Sequence, residues 1–204
     1  DHHYRGFGCR HSRVDRQRIL LGDEKRRGML IGSAQKGVSL IELIIGIAIL
    51  GILLTAALPG YRAWIQNTQI RNAAESVLNG MQLARSEAVR RNTNVQLVFG
   101  TGSSWTVSVP GTAEQIQTRT SGEGSANVTV TKTPAAATTI TFSSLGRVVA
   151  NADASASITQ VDLDVPTSIL PASESRELRI VASAGGNVRM CDPNVADATD
   201  PRKC

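Results

Sequence analysis

Histidine is missing from this chain beyond residue 11, since His2, His3 and His11 account for all three. A catalytic triad or metal site built on imidazole therefore has neither base nor ligand in the rest of the sequence. Aromatic residues make up only 3% of the chain, and past residue 36 they reduce to Tyr61, Trp64, Phe99, Trp105 and Phe142. Single-stranded nucleic acid, commonly gripped by stacking bases on exposed rings, would find few rings to stack on. Cysteine is limited to Cys9, Cys191 and Cys204, too few for a site of four thiolates. A charge surplus is also lacking once position is considered. Residues 1–36 hold nine Lys+Arg against four Asp+Glu, whereas residues 37–204 hold thirteen of each. The formal net charge of +5 thus belongs to the prefix and says nothing about partners of the remainder. No internal repeat and no separate linker interrupts the chain.

What is present is one long apolar run. Leu43 to Leu58 contains no Asp, Glu, Lys or Arg, and Glu42 stands at its mouth as a lone carboxylate. Val38 to Leu58, taken as a helix rising about 1.5 Å per residue, spans roughly 31 Å, the thickness of a bilayer core. A carboxylate near hydrocarbon costs about 2.5 kcal/mol or more, so Glu42 is expected to have a neutralising partner. Lys25, Arg26, Arg27 and Lys36 precede the run, which places the N-terminus in the cytoplasm and everything after Leu58 outside. Tyr61 and Trp64 then fall where interfacial aromatics sit. A secretory signal peptide is the rival reading. The run is long for one, however, and no small-residue cleavage site precedes a new domain, because helical periodicity continues past Pro59.

Beyond Pro59, which predicts a kink or a locally melted turn, Ile70, Ala74, Val77, Met81, Ala84 and Ala88 recur at alternating spacings of four and three, with Leu78 and Leu83 widening the stripe. Arg71 with Glu75, and Glu87 with Arg91, are potential i,i+4 pairs on the polar side, each worth a few tenths of a kcal/mol at about 25 °C. The helix is expected to end near Asn92-Thr93-Asn94. Strand-like runs follow at 95–99, 105–109, 127–131, 139–142, 147–149, 158–165, 177–182 and 187–191, separated by turn signals such as Pro110-Gly111, Leu145-Gly146 and Gly185-Gly186. Segments 111–126 and 150–157 read as exposed loops. The fold class is α+β: a long N-terminal helix, half membrane-spanning and half amphipathic, packed on a small antiparallel β-sheet domain. The expected organisation is a prefix and leader at 1–37, a transmembrane helix at 38–60, an amphipathic half at 61–94 and a β-rich periplasmic domain at 95–204.

A greasy half-helix led by Glu42, with a basic leader ending at Gly37, resembles the type IV pilin and pseudopilin superfamily. The run Leu83-Ala84-Arg85-Ser86-Glu87-Ala88-Val89-Arg90-Arg91-Asn92 resembles the signature of its GspH/FimT branch, and the likeness is close from Lys36 to Asn94. It implies cleavage by a prepilin peptidase after Gly37 and N-methylation of Val38, which stands where phenylalanine is common. Met29 would open a short leader, so residues 1–28 read as an over-extension upstream of the translated start. The resemblance also implies that Glu42 is neutralised by the freed amine of a neighbouring subunit's N-terminus, setting register in a fibre. Cleavage removes Cys9 and leaves Cys191 and Cys204 in an oxidising compartment, where a disulfide between them would contribute about 3 kcal/mol. The rival, a metal site, lacks two more ligands.

Three function classes follow. The first is a structural subunit, a minor pilin or pseudopilin that starts or caps a fibre from the inner membrane into the periplasm. It would assemble with other minor and major pilins and inner-membrane lipid, and needs no cofactor. Within this class the tail from Cys191 to Cys204 resembles the FimT/FimU pilus group, with an H-type pseudopilin of type II secretion as the alternative. DNA binding is the second class, since some FimT-like pilins use a C-terminal Gly-Arg-x-Arg segment. Here Gly186-Asn187-Val188-Arg189 lacks the first arginine, and Arg189, Arg202 and Lys203 are offset by Asp192, Asp197 and Asp200, so the counterion release that drives phosphate binding is small. An enzyme is the third, supported only by a generic polar cluster at Ser173 to Glu177. Intact mass of the membrane-extracted protein tests the processing. The expected value is that of Val38 to Cys204 plus one methyl group and minus two hydrogens, and a mass retaining the leader contradicts it.

Overall fold

The computed structural model describes residues 37–204. The expectations for the prefix, including Cys9, the histidines and most of the leader, lie outside the described residues. The chain divides into two units, Asp1–Leu43 and Ile44–Cys204. In the first, Gly37 to Ser39 have no regular secondary structure, and the helix α1 (Leu40–Arg91) begins directly after them. Ser39 is its N-terminal flank, its carbonyl accepting from the Leu43 N–H at 3.1 Å.

α1 is bent by 45° between the stretches Leu40–Thr55 and Gly60–Arg91, the break itself lying in the second unit. A proline at position 59 supplies no N–H to the helical ladder, which weakens the helix in this stretch. Among the described residues no single helix is long and apolar enough to cross a membrane, although the bent pair meets the length and composition of a span together. The reason is arithmetic. Leu40–Thr55 covers only about 24 Å at the α-helical rise, short of the roughly 30 Å of a bilayer core, so the 21-residue run counts as a crossing only if the bend is included. At its other end α1 stops at Asn92, whose φ is +53°. The Thr93 N–H donates to Ala88 O and the Asn92 N–H to Val89 O, a left-handed cap that satisfies two of the last carbonyls.

The remainder is nine antiparallel strands in two sheets. β1 (Val95–Phe99), β2 (Trp105–Ser108), β3 (Gln115–Arg119), β5 (Thr139–Phe142) and β6 (Val148–Val149) form one, in the order β3-β2-β1-β5-β6. β4 (Thr129–Thr133), β7 (Gln160–Asp164), β8 (Leu178–Ala182) and β9 (Val188–Cys191) form the other, in the order β4-β7-β8-β9. Alternation along β1 and β7 turns Val95, Leu97 and Phe99, and Val161 and Leu163, inward. These side chains join the helical stripe Ile70, Ala74, Val77, Met81, Ala84 and Ala88 in one buried cluster. Each fully buried large side chain there contributes about 1.5–3 kcal/mol.

Three local expectations need correction. The expected 111–126 loop contains β3, an edge strand with Ile116 as its sole aliphatic residue, so the period-2 pattern that reveals a strand is absent. The 150–157 segment is mostly exposed but is pinned by Asn151, a buried amide that accepts from Thr141 Oγ1 at 2.8 Å and donates towards Thr139 O and Ser155 O. Arg71 and Glu75 form no ion pair among the described residues, whereas Glu87 and Arg91 do, at 2.7 Å.

Two glycines mark close approaches. A Cβ on Gly80 would lie 2.9 Å from Leu97 Cδ1 and 3.0 Å from Trp105 Cε2, so α1 sits directly on β1 and β2 at this point. There the Trp105 indole N–H donates to Ser76 Oγ at 2.9 Å. Gly186 has φ +82°, and a Cβ on it would lie 1.8 Å from Gly146 O, backbone that cannot retreat as a side chain can. Gly186→Ala is expected to lower stability by about 2–5 kcal/mol, combining left-handed strain with collision. Gly185→Ala, whose Cβ would meet nothing nearer than Ser183 Oγ at 3.9 Å, should be nearly neutral. Thermal unfolding of the detergent-solubilised protein compares the two.

Candidate functional site

The sequence points to two regions, the start of α1 and the C-terminal tail. At the first, Gly37 and Val38 are exposed, Val38 at 73%, and so is Glu42 in the first turn of α1. Unsatisfied N–H groups in that turn make it a favourable place for a carboxylate. Beyond it Leu43, Ile44, Ile45, Ile47, Ile49, Leu50, Ile52, Leu53 and Leu54 are each about half exposed or more. They point in every direction around the axis, so this stretch has no polar side to turn to water and no stripe to lay on a sheet. An apolar surface of this extent requires lipid or a neighbouring protein to cover it.

At the second region, Cys191 and Cys204 are joined by a disulfide with Cα atoms 5.1 Å apart, the pairing expected. The tail between them folds back along β9. Asp192 and Lys203 form a β-bridge, and the Asp192 N–H donates to Arg202 O at 2.7 Å. The three basic residues considered for DNA are engaged within the tail. Arg189 donates to Lys203 O and Cys204 O, Lys203 Nζ to Ala196 O, and Arg202 pairs with Asp200 at 2.7 Å. The Arg202 guanidinium holds the Asp200 carboxyl down at about 2. Near the same strands, partial burial and then the charges of Asp162 and Asp164 push the Glu177 carboxyl up from its ordinary value, with Asp192 adding to the effect.

The run Leu83–Asn92 turns out to be a joint. Ala84 and Ala88 face the core. Arg85 Nε donates to Gly146 O at 3.1 Å, the carbonyl against which Gly186 packs, so one arginine ties α1 to the β5–β6 turn where it meets the β8–β9 turn. Glu87 receives Arg90 and Arg91, and Arg91 reaches on to Glu114 before β3. Sequence reasoning had no signal for this three-way contact, because Arg85, Gly146 and Gly186 are far apart in the chain.

The description that fits is a subunit whose β-rich part is carried on one long, partly naked apolar helix. Residues 73–186 match the family model described as Type II transport protein GspH, and residues 32–58 match the Prokaryotic N-terminal methylation motif. The chain belongs to the GspH family. Two fimbrial proteins of Pseudomonas aeruginosa are each 35% identical to it over 106 residues, covering 42% of this chain and 68% of theirs. Crystal structures of the type IV minor pilin FimU of Pseudomonas aeruginosa (strain PAO1) are similar with TM-scores of 0.45 and 0.43 at 20% and 19% identity. Each match covers 63% of this chain, and 92% or 97% of the solved one.

The ion pairs at Glu87 give the joint a pH signature. Hydrogen bonds from Arg90, then Arg91, lower its carboxyl from an ordinary 4.5 to about 2. A carboxyl depressed on folding contributes stability that is complete above its ordinary value and is lost as pH falls through the folded one. Wild type should therefore exceed Glu87→Gln in thermal midpoint above pH 4.5, with the gap closing as pH falls towards about 2. A gap independent of pH contradicts the pairing.

Proposed function

We propose that this chain is a minor pilin, a structural subunit that helps start or cap a type IV pilus. The observation that carries the reading is the apolar half of α1, exposed on all sides and led by Glu42 inside a methylation motif. Such a helix has two ways to be covered. In the inner membrane, lipid covers it and the β-rich part stands in the periplasm. In a fibre, the helices of other pilins do, and moving between the two costs little hydrophobic energy because both surroundings are apolar.

Processing supplies the charge logic. Prepilin peptidase cleaves after Gly37 and the amine of Val38 is methylated, leaving a cation at the end of each helix. Glu42, four residues on, is a carboxylate placed at the edge of the hydrocarbon. An unpaired charge there is costly, and pairing with the N-terminal amine of a neighbouring subunit removes the cost while setting axial register. The 1–37 leader, the 38–60 span, the 61–94 amphipathic half and the 95–204 periplasmic part are the organisation this reading assigns.

The same parts would serve an H-type pseudopilin of type II secretion, an alternative compatible with membership of the GspH family. The fimbrial relatives favour the pilus. DNA uptake is less well supported, since Arg189, Arg202 and Lys203 are committed to the tail and acidic residues surround them. Glu42→Gln is expected to insert and be processed normally yet to be missing from sheared fibres. Its recovery in fibres at the wild-type level, measured by immunoblot, contradicts the assigned role.

A further inference from the structure

Between α1 and the C-terminal strands runs a groove of about 1210 Å3 that the fibre reading leaves unused. Its helical wall extends from Gly60 to Arg71, and its other wall is the 173–176 turn together with parts of the tail. Three observations concern its occupant. The groove begins at Gly60, two residues after Leu58, where the exposed apolar run of α1 ends. Trp64 on its rim is 63% exposed and stacks on exposed Tyr61 with ring centroids 6.0 Å apart, and amphipathic rings of this kind favour the depth of lipid headgroups. Its charges are Arg71, Arg176 and Arg202 against Glu174 and Asp192. Arg202 is held by Asp200, while Arg71 and Arg176 have no carboxylate within ion-pair distance among the described residues.

We propose that this groove seats the headgroup of an anionic phospholipid at the membrane surface. The proposal rests on the reading that the apolar half of α1 lies in a bilayer. The heights agree with it. The Arg176 N–H donates to Asn67 Oδ1 at 2.8 Å, which fixes the arginine at the level of Asn67. Asn67 is nine residues past Leu58, or about 13 Å along the helix, and the 45° bend reduces its height above the apolar run to about 10 Å. From there an arginine side chain can lie along the groove and bring its guanidinium down to the phosphate. Arg71, one turn higher, adds attraction at longer range, and Arg62, outside the groove wall and nearer the apolar run, adds to the same collar. With Arg62 counted, the cations that form no ion pair among the described residues number three against the two carboxylates Glu174 and Asp192, a surplus of one that favours a lipid of net negative charge over a zwitterion.

The two tryptophans make the test direct. Trp105 is buried at 3% and shielded from a quencher carried by lipid, so quenching reports Trp64. The full chain is reconstituted in nanodiscs with a spin label high on the acyl chain of either phosphatidylglycerol or phosphatidylcholine. The expected result is stronger quenching by labelled phosphatidylglycerol at equal content. Each of Arg71→Ala and Arg176→Ala should lower that preference about fivefold, and the double variant should abolish it. Equal quenching by the two lipids, or a preference untouched in the double variant, overturns the proposal while leaving insertion intact. Shielding of Trp64 that appears only with two chains per disc assigns the groove to a second copy and likewise overturns it. Failure to insert at all removes the membrane reading beneath it.

Discussion

One helix has to satisfy two different surroundings. From Ile70 to Ala88 it lays a stripe on two sheets and joins their core. From Ile44 to Leu54 it has exposed aliphatic side chains on every side and no sheet beneath them. Burial of a large apolar side chain is worth about 1.5–3 kcal/mol, so the second stretch represents a large unrealised gain in water. The β-rich part can complete its own core within the chain, and the apolar half cannot. In the proposed function, that imbalance drives the helix into lipid and then out of lipid into a fibre.

A helix used in this way has to be held firmly by the part it carries. The contacts are spaced along its length. Asn67 bonds the 173–176 turn, Ser76 takes the Trp105 indole, Gly80 admits β1 and β2, and Arg85 reaches the Gly146 carbonyl. Together they reach the 173–176 turn, β1, β2 and the β5–β6 turn, so a force on α1 would be shared among both sheets. The run that carries the family resemblance is the last of these fixings, which explains why it mixes small buried residues with charged ones. Ala84 and Ala88 permit close packing, Arg85 crosses to a turn, and Glu87 gathers Arg90 and Arg91.

The tail shows how net charge misleads in either direction. Its basic residues could be read from the sequence as a phosphate-binding set, yet folding commits them to carbonyls and to Asp200. With the disulfide they hold a covering over the outer edge of β9, leaving β3, β4 and β6 as the other sheet edges. Conversely, Arg71, expected to pair with Glu75 on a solvated face, instead lines the groove beside Arg176.

Much was legible in one dimension because it depends on neighbours in the chain. The apolar run and the lone Glu42 are read from local composition, while the stripe from Ile70 to Ala88, the stop at Asn92 and the strands with alternating burial follow from periodicities of 3.6 and 2 and the switch between them. The edge strand β3 escaped, since a polar edge has no buried face to impose alternation. Asn151 escaped because a buried amide in a loop looks like any exposed one. The division into two sheets, the meeting of Gly146 with Gly186, the reach of Arg85 and the groove between α1 and the tail were decided only by tertiary structure. They bring together residues tens of positions apart, and such pairings depend on how the chain crosses itself, which local patterning does not encode.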